Sequence, residues 1–198
     1  MIGLIRSRLR RFVADRRGIA AIEFAFVAPL LLAMYFVTME IAPAIDANKK
    51  VGRSASMIAD LITQQQAITK GEIDAILSLG QSTLNPYTRT QMKIVVTAIE
   101  VTDESTPKVK VVWSRKVQNG IFSAGASPGS ITTVPDRLKT KGSFLVRVES
   151  ELDYRPMITW SASAKEATGL LAAFDKIGME ETYFLRPRVS NSVPCTNC

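Results

Sequence analysis

Residues 16–39 read RRGIAAIEFAFVAPLLLAMYFVTM. From Ile19 to Met39 the 21 residues carry one charge, Glu23. At 1.5 Å of rise per residue such a helix is about 31 Å long, enough to cross a bilayer core. Arginines stand on its N-terminal side, and the positive-inside rule then leaves residues after about 45 outside the cytoplasm. The expected organisation is a basic cytoplasmic leader over 1–18, a transmembrane helix over 19–42, and an extracytoplasmic domain over 43–198.

The charge distribution follows the same division. The formal charge of the 198-residue chain is +7. Residues 1–18 hold six arginines (Arg6, Arg8, Arg10, Arg11, Arg16, Arg17) against Asp15, a net of +5. The other 180 residues keep 19 of the 25 basic and 17 of the 18 acidic side chains, a net of +2. A basic tail suits either phosphates or a cytoplasmic flank. Its place directly before an apolar run, with few aromatics among the arginines, favours the membrane and argues against nucleic acid.

The chain has no histidine. That removes the usual general base, the commonest metal ligand and any Ser-His or Cys-His nucleophile pair. Its two cysteines, Cys195 and Cys198, close the sequence as C-T-N-C, too few to complete a structural zinc site without other ligands. The expectation is a non-catalytic protein with no cofactor and no metal. In an oxidising compartment Cys195 and Cys198 can pair, and a frayed tail without a role is the other reading of them.

Glu23 is what a plain anchor leaves unexplained. A carboxylate in lipid costs a few kcal/mol unless it snorkels or finds a partner. One account places it near the cytoplasmic edge, beside Arg16 or Arg17. The other needs a cut after Gly18, which would create an amine on Ile19 one helical turn from Glu23. Amine and carboxylate could then pair within a chain or between neighbouring subunits. A plain signal anchor, and a cleaved signal peptide ending at Ala42-Pro43-Ala44, stand as alternatives.

The run G-I-A-A-I-E-F resembles the processing motif of Flp-type (type IVb) prepilins and pseudopilins. The wider stretch RRGIAAIEFAFVAPLLL resembles the start of TadE-like proteins of the tight-adherence system, at Arg16, Gly18, Ala21, Glu23, Phe24, Ala25, Pro29 and Leu30 to Leu32. A weaker likeness lies in YFLRPRVSNSVPC near the C-terminus. The resemblance implies a minor pilin or pseudopilin with a processing site at Gly18 and Ile19, cut by a membrane aspartic prepilin peptidase. It assigns assembly and recognition to Glu23, Phe24 and Pro29. It implies other pilins and pseudopilins and an inner-membrane assembly platform as partners, and a periplasmic C-terminal domain that can enter the pilus. Abundant Flp pilins are far shorter, so the length fits the pseudopilin branch.

Beyond the span, Val51, Ala55, Ile58 and Ile62 fall at i, i+4, i+7 and i+11, the stripe of an amphipathic helix over about 46–66 that continues the first, bent near Pro43. Thr69-Lys70-Gly71-Glu72 reads as a capping box for a second helix burying Ile73, Ile76 and Leu77. The period then becomes two, with strands near 91–102, 107–116 and 142–154, the first two joined through 103–107. Residues 118–140 read as a long exposed loop. Lys165 to Ile177 is a candidate helix and Tyr183 to Leu185 a short last strand. The expected fold is α+β, a long helix packed on a small antiparallel sheet in a pilin-like layout.

Three functions compete. The first is a pseudopilin needed for assembly of a Flp-type pilus. The second is a membrane-anchored binding module in which any apolar run could replace 19–39. The third, the weakest, is a hydrolase using Glu149, Glu151 and Asp153, whose i, i+2 spacing also describes a solvated strand face.

Overall fold

The computed structural model of the chain describes residues 18–87, 89–156 and 176–198. Its first element, α1, is a helix over Ile19–Thr63, 45 residues long, that runs through Pro29 and Pro43. The chain divides after Pro43 into two compact units. In the first unit α1 exposes nearly every apolar side chain, among them Phe24, Phe26, Leu30 and Leu31. It is long and apolar enough to cross a membrane. Thr38 returns its hydroxyl to the Met34 carbonyl at 2.9 Å, which satisfies that hydroxyl within the helix itself.

In the second unit the same helix is buried on one side. Val51, Ala55, Ile58 and Ile62 are wholly inaccessible to solvent, as the spacing predicts. A second helix, α2, spans Lys70–Ser82 and opens on the expected capping box. The Thr69 backbone donates to Glu72 Oε2 at 2.8 Å, and the Glu72 backbone donates to Thr69 Oγ1 at 3.3 Å. The Thr69 backbone donor first, and second the Thr69 hydroxyl, which also donates to Glu72 Oε2 at 2.8 Å, hold the Glu72 carboxyl below its ordinary range. Ile73, Ile76 and Leu77 are buried. Gly80 lets α2 approach α1 closely: a Cβ there would strike Ile58 Cδ1 and lie 2.9 Å from Ser54 Oγ. Ser54 Oγ donates to the Gly80 carbonyl at 2.9 Å across the contact.

The sheet has five strands: β1 (Lys93–Val101), β2 (Val109–Gln118), β3 (Ile121–Ala124), β4 (Phe144–Tyr154) and β5 (Ile177–Leu185). Their order is β3-β2-β1-β4-β5, and every pairing is antiparallel. The stretch expected as one long loop proves partly ordered. Asn119 and Gly120, at φ 51° and 72°, form a two-residue hairpin into β3, because Asn-Gly suits the doubly left-handed turn that matches strand twist. The chain then runs back along β2, with Gly129 donating to the Val111 carbonyl at 2.7 Å and Thr132 to the Val109 carbonyl at 2.9 Å. The last strand is longer than the expected 183–185, and Ile177 begins it rather than ending a helix. The rest of the candidate helix, 165–175, lies outside the described residues.

The sheet buries residues on both faces, and a register shift between β1 and β2 after Ala98 decides which face the start of β2 joins. Trp113 faces the helices with Ile94, Val96, Val146 and Val148. Past the shift Val109 joins Ile99, Val101 and Leu145 in a smaller cluster, against Val134 and Leu138. The simple alternation Val109, Val111, Trp113 therefore does not keep one face, since one extra residue reverses the side on which later residues emerge.

The C-terminal segment crosses the helix ends. The Arg188 backbone donates to the Thr63 carbonyl at 3.0 Å and the Ile68 backbone to the Pro194 carbonyl at 3.0 Å. Trp113 Nε1 donates to the Val193 carbonyl at 2.8 Å, and Val193 is fully buried. Asn197 Oδ1 accepts from the Lys70 backbone at 2.7 Å at the start of α2. Cys195 and Cys198 are joined as a disulfide, their Cα atoms 5.7 Å apart.

Candidate functional site

Gly18 stands as the last residue before α1 and Ile19 is its first. No atom lies within 4 Å of where a Cβ on Gly18 would be, so packing among the described residues does not require glycine there. Glu23 lies one turn along, exposed, with no hydrogen bond or ion pair among the described residues. Phe24 is 71% exposed, and Pro29 lies inside the helix with its surface open. These residues lie along one helix and do not converge on a pocket. What they share is a surface fit for lipid or for other helices, with one carboxylate set into it.

Residues 18–60 match the family model described as TadE-like protein. Over those residues the chain is similar to TadE-like proteins. The family is one of minor pilin-like proteins associated with the tight-adherence pilus, structural components of it. No curated protein and no solved structure matches the chain. The TadE-like match ends within the buried part of α1, three residues before the helix does.

The acids weighed for hydrolysis serve the sheet's surface. Glu149 lies 3.2 Å from Arg147 Nε, Glu151 2.6 Å from Lys93 Nζ, and Asp153 2.8 Å from Lys176 Nζ. The Glu151 bond raises the Lys93 ammonium above its ordinary value. Each acid is bound to a base on its own or an adjacent part of the sheet, the arrangement of a solvated ionic face. Among the described residues no group of three or more acids or cysteines is placed to hold a metal ion.

Two polar arrangements had no local sequence signal. Arg115 of β2 grips Asp74 of α2 with Nε to Oδ1 and Nη2 to Oδ2, each at 2.7 Å. The paired hydrogen bonds raise the guanidinium further above its already high value. The second lies where α1 enters its domain. Tyr87 donates its hydroxyl to Asp46 Oδ2 at 2.9 Å. Lys50 Nζ lies 5.3 Å from the Tyr87 ring centroid and donates to the Asn85 carbonyl. Tyr154 meets Tyr87 edge to face at 6.2 Å. Burial first, and the Asp46 carboxylate second, push the Tyr87 phenol above its ordinary value. Asp46 and Lys50 are one turn apart on α1, but only the fold brings Tyr87 to them.

Proposed function

We propose that the protein is a non-catalytic pseudopilin that takes part in assembling a Flp-type pilus at the inner membrane. It is cut by a prepilin peptidase between Gly18 and Ile19, and the Glu23 carboxylate pairs with the amine so created on a neighbouring subunit. The domain after residue 43 lies in the periplasm, and other pilins and the assembly platform are its partners. The observation that carries this reading is Glu23 itself: an exposed carboxylate, without a partner among the described residues, one turn into a helix otherwise fit for lipid. Such a charge is costly in a bilayer and calls for a partner. Gly18 supports the cut, because among the described residues nothing in the packing asks for a glycine at that position.

The test pairs two measurements. Mass spectrometry of the membrane-extracted protein should find a chain beginning at Ile19. Glu23→Ala should still enter the membrane but leave the pilus unassembled. An intact leader would remove the processing step, and normal piliation by Glu23→Ala would remove the pairing. If an unrelated apolar run in place of 19–39 kept full function, a tethered binding module would be the better account.

A further inference from the structure

Residues 194–197 meet the backbone at the entry to α2 three times. The Ile68 backbone donates to the Pro194 carbonyl at 3.0 Å, and the Thr196 backbone donates to the Ile68 carbonyl at 3.1 Å. Ile68 and Cys195 thereby form an isolated parallel bridge. Asn197 Oδ1 then accepts from the Lys70 backbone at 2.7 Å. Lys70 is the first residue of α2, and its amide is one of the donors that no carbonyl within a helix can satisfy. Thr69 Oγ1 serves the Glu72 amide. The first turn of α2 therefore has two side-chain caps, one of them from a residue 127 positions further along the chain.

Two different things hold this stretch. Val193 is fully buried, and its carbonyl accepts from Trp113 Nε1 at 2.8 Å, so packing fixes the chain up to that point. Thr196, Asn197 and Cys198 are exposed. Ordering an exposed residue costs about as much free energy as one exposed hydrogen bond returns. The bonds from Thr196 and Asn197 are therefore not enough by themselves to keep the turn in place. The Cys195–Cys198 disulfide removes much of that cost, because the ring restricts the same residues before they dock. With its cysteines only three positions apart, the ring constrains little of the unfolded chain. Its action is local.

We propose that the Cys195–Cys198 disulfide is a redox-operated clip that presents Asn197 Oδ1 to the first amide of α2, and that a dithiol partner of the thiol–disulfide oxidoreductase class opens and closes it. Cys198 is exposed, whereas Cys195 is half-buried against the core, so attack by a partner thiolate falls on Cys198. That attack breaks the S–S bond, forms a mixed disulfide on Cys198 and leaves Cys195 as a thiolate, which takes up a proton. The partner's second thiolate then attacks the partner sulfur of the mixed disulfide and releases Cys198 as a thiol. Two electrons have passed to the clip, and the partner ends as a disulfide. Closing is the reverse, with the oxidised partner as electron acceptor. Opening frees Asn197 from Lys70 and leaves Val193 on Trp113.

Hydrogen–deuterium exchange of the full chain in detergent micelles, read at single amides before and after treatment with dithiothreitol, gives the test. The Lys70 amide should exchange roughly tenfold faster in the reduced chain, the factor that matches the net worth of one hydrogen bond. Amides of β1 and β4 should not change. Asn197→Ala should speed the Lys70 amide to the same extent while its disulfide stays closed. Cys195→Ser with Cys198→Ser should match the reduced chain and ignore dithiothreitol. Equal Lys70 rates in the oxidised and reduced chains would overturn the clip, and a slow Lys70 amide in Asn197→Ala would overturn the role given to Asn197. Faster exchange throughout β1 and β4 on reduction would make the disulfide a staple of the whole domain and overturn its local action. A disulfide that resists dithiothreitol until the domain unfolds, or that does not re-form with oxidised glutathione, would overturn its operation by a dithiol partner. Where the serine pair does not fold, the reduced wild type and Asn197→Ala decide.

Discussion

The two parts of α1 share a backbone and differ in what surrounds them. Before residue 43 the apolar side chains are exposed all round the helix, with Phe24, Phe26 and Leu30 each more than half open. After it the apolar residues narrow to a stripe, and Val51, Ala55, Ile58 and Ile62 have no exposed surface. A helix apolar on every side needs an apolar solvent, whereas a striped one needs a partner face. One element thus has two unlike surfaces, the first long and apolar enough to cross a membrane and the second stabilised by the packing of α2 and the sheet.

The largest effect that could break this division comes from truncating one side chain in each part. Ile58→Ala should lower the unfolding free energy of the domain by about 2–5 kcal/mol, the cost of removing a buried isoleucine and leaving a cavity. Leu31→Ala, a similar loss of volume in the exposed part, should change the domain by less than about 0.5 kcal/mol. Denaturant titration of the detergent-held chain, followed by tryptophan emission, measures both. Comparable losses would mean that the first part of α1 also stabilises the folded unit.

A middle-sized effect tests the contact from the other helix. At Gly80 a methyl group would press on Ile58 and Ser54, so Gly80→Ala should destabilise by about 1–3 kcal/mol through overpacking. Its higher intrinsic helix propensity would favour the folded state by about 1 kcal/mol, so a net stabilisation would show that α2 can move away at little cost. Ile58→Val with Gly80→Ala should recover part of the loss, since the Ile58 methyl that a Cβ would strike is the one removed. Additive losses would show instead that the two positions do not compete for the same space.

Local patterns made the helical half of this fold readable. The 51, 55, 58, 62 spacing and the Thr69–Glu72 box are contained within a few residues, and the structure follows both. Strands β1, β2 and β4 were legible from alternation, with ends shifted by about two residues. β3 was missed although Asn119-Gly120 is a strong hairpin signal. Gly, Ser and Pro from 125 to 135 had made the surrounding stretch read as loop. The register shift after Ala98 was not legible, because an extra residue in one strand is defined only against its partner. The same holds for Arg115 on Asp74 and Tyr87 on Asp46, 41 residues apart in each case. Gly18, Glu23 and Phe24 differ from these pairs: on the proposed function they would answer to membrane and neighbours, so their pattern is local to the sequence, and the fold of the described residues neither gathers nor tests them.

The smallest effect concerns the start of α2, the helix that packs on the buried half of α1. Glu72 is fully exposed, and its carboxyl is lowered chiefly by the Thr69 backbone donor. A lowered folded-state value means that ionised Glu72 favours the folded state. That contribution is complete above the unfolded value near 4.5 and disappears as pH falls through the lower folded value. Glu72→Gln should therefore be slightly less stable than wild type at pH 6, with the difference shrinking as the pH falls below 4.5. Thermal unfolding of the two proteins side by side measures it. A gap constant across that range would mean that the capping interaction does not depend on the charge, since glutamine can reach the same backbone donor. The cap would then hold the start of α2 by hydrogen bonding alone, with its charge contributing nothing.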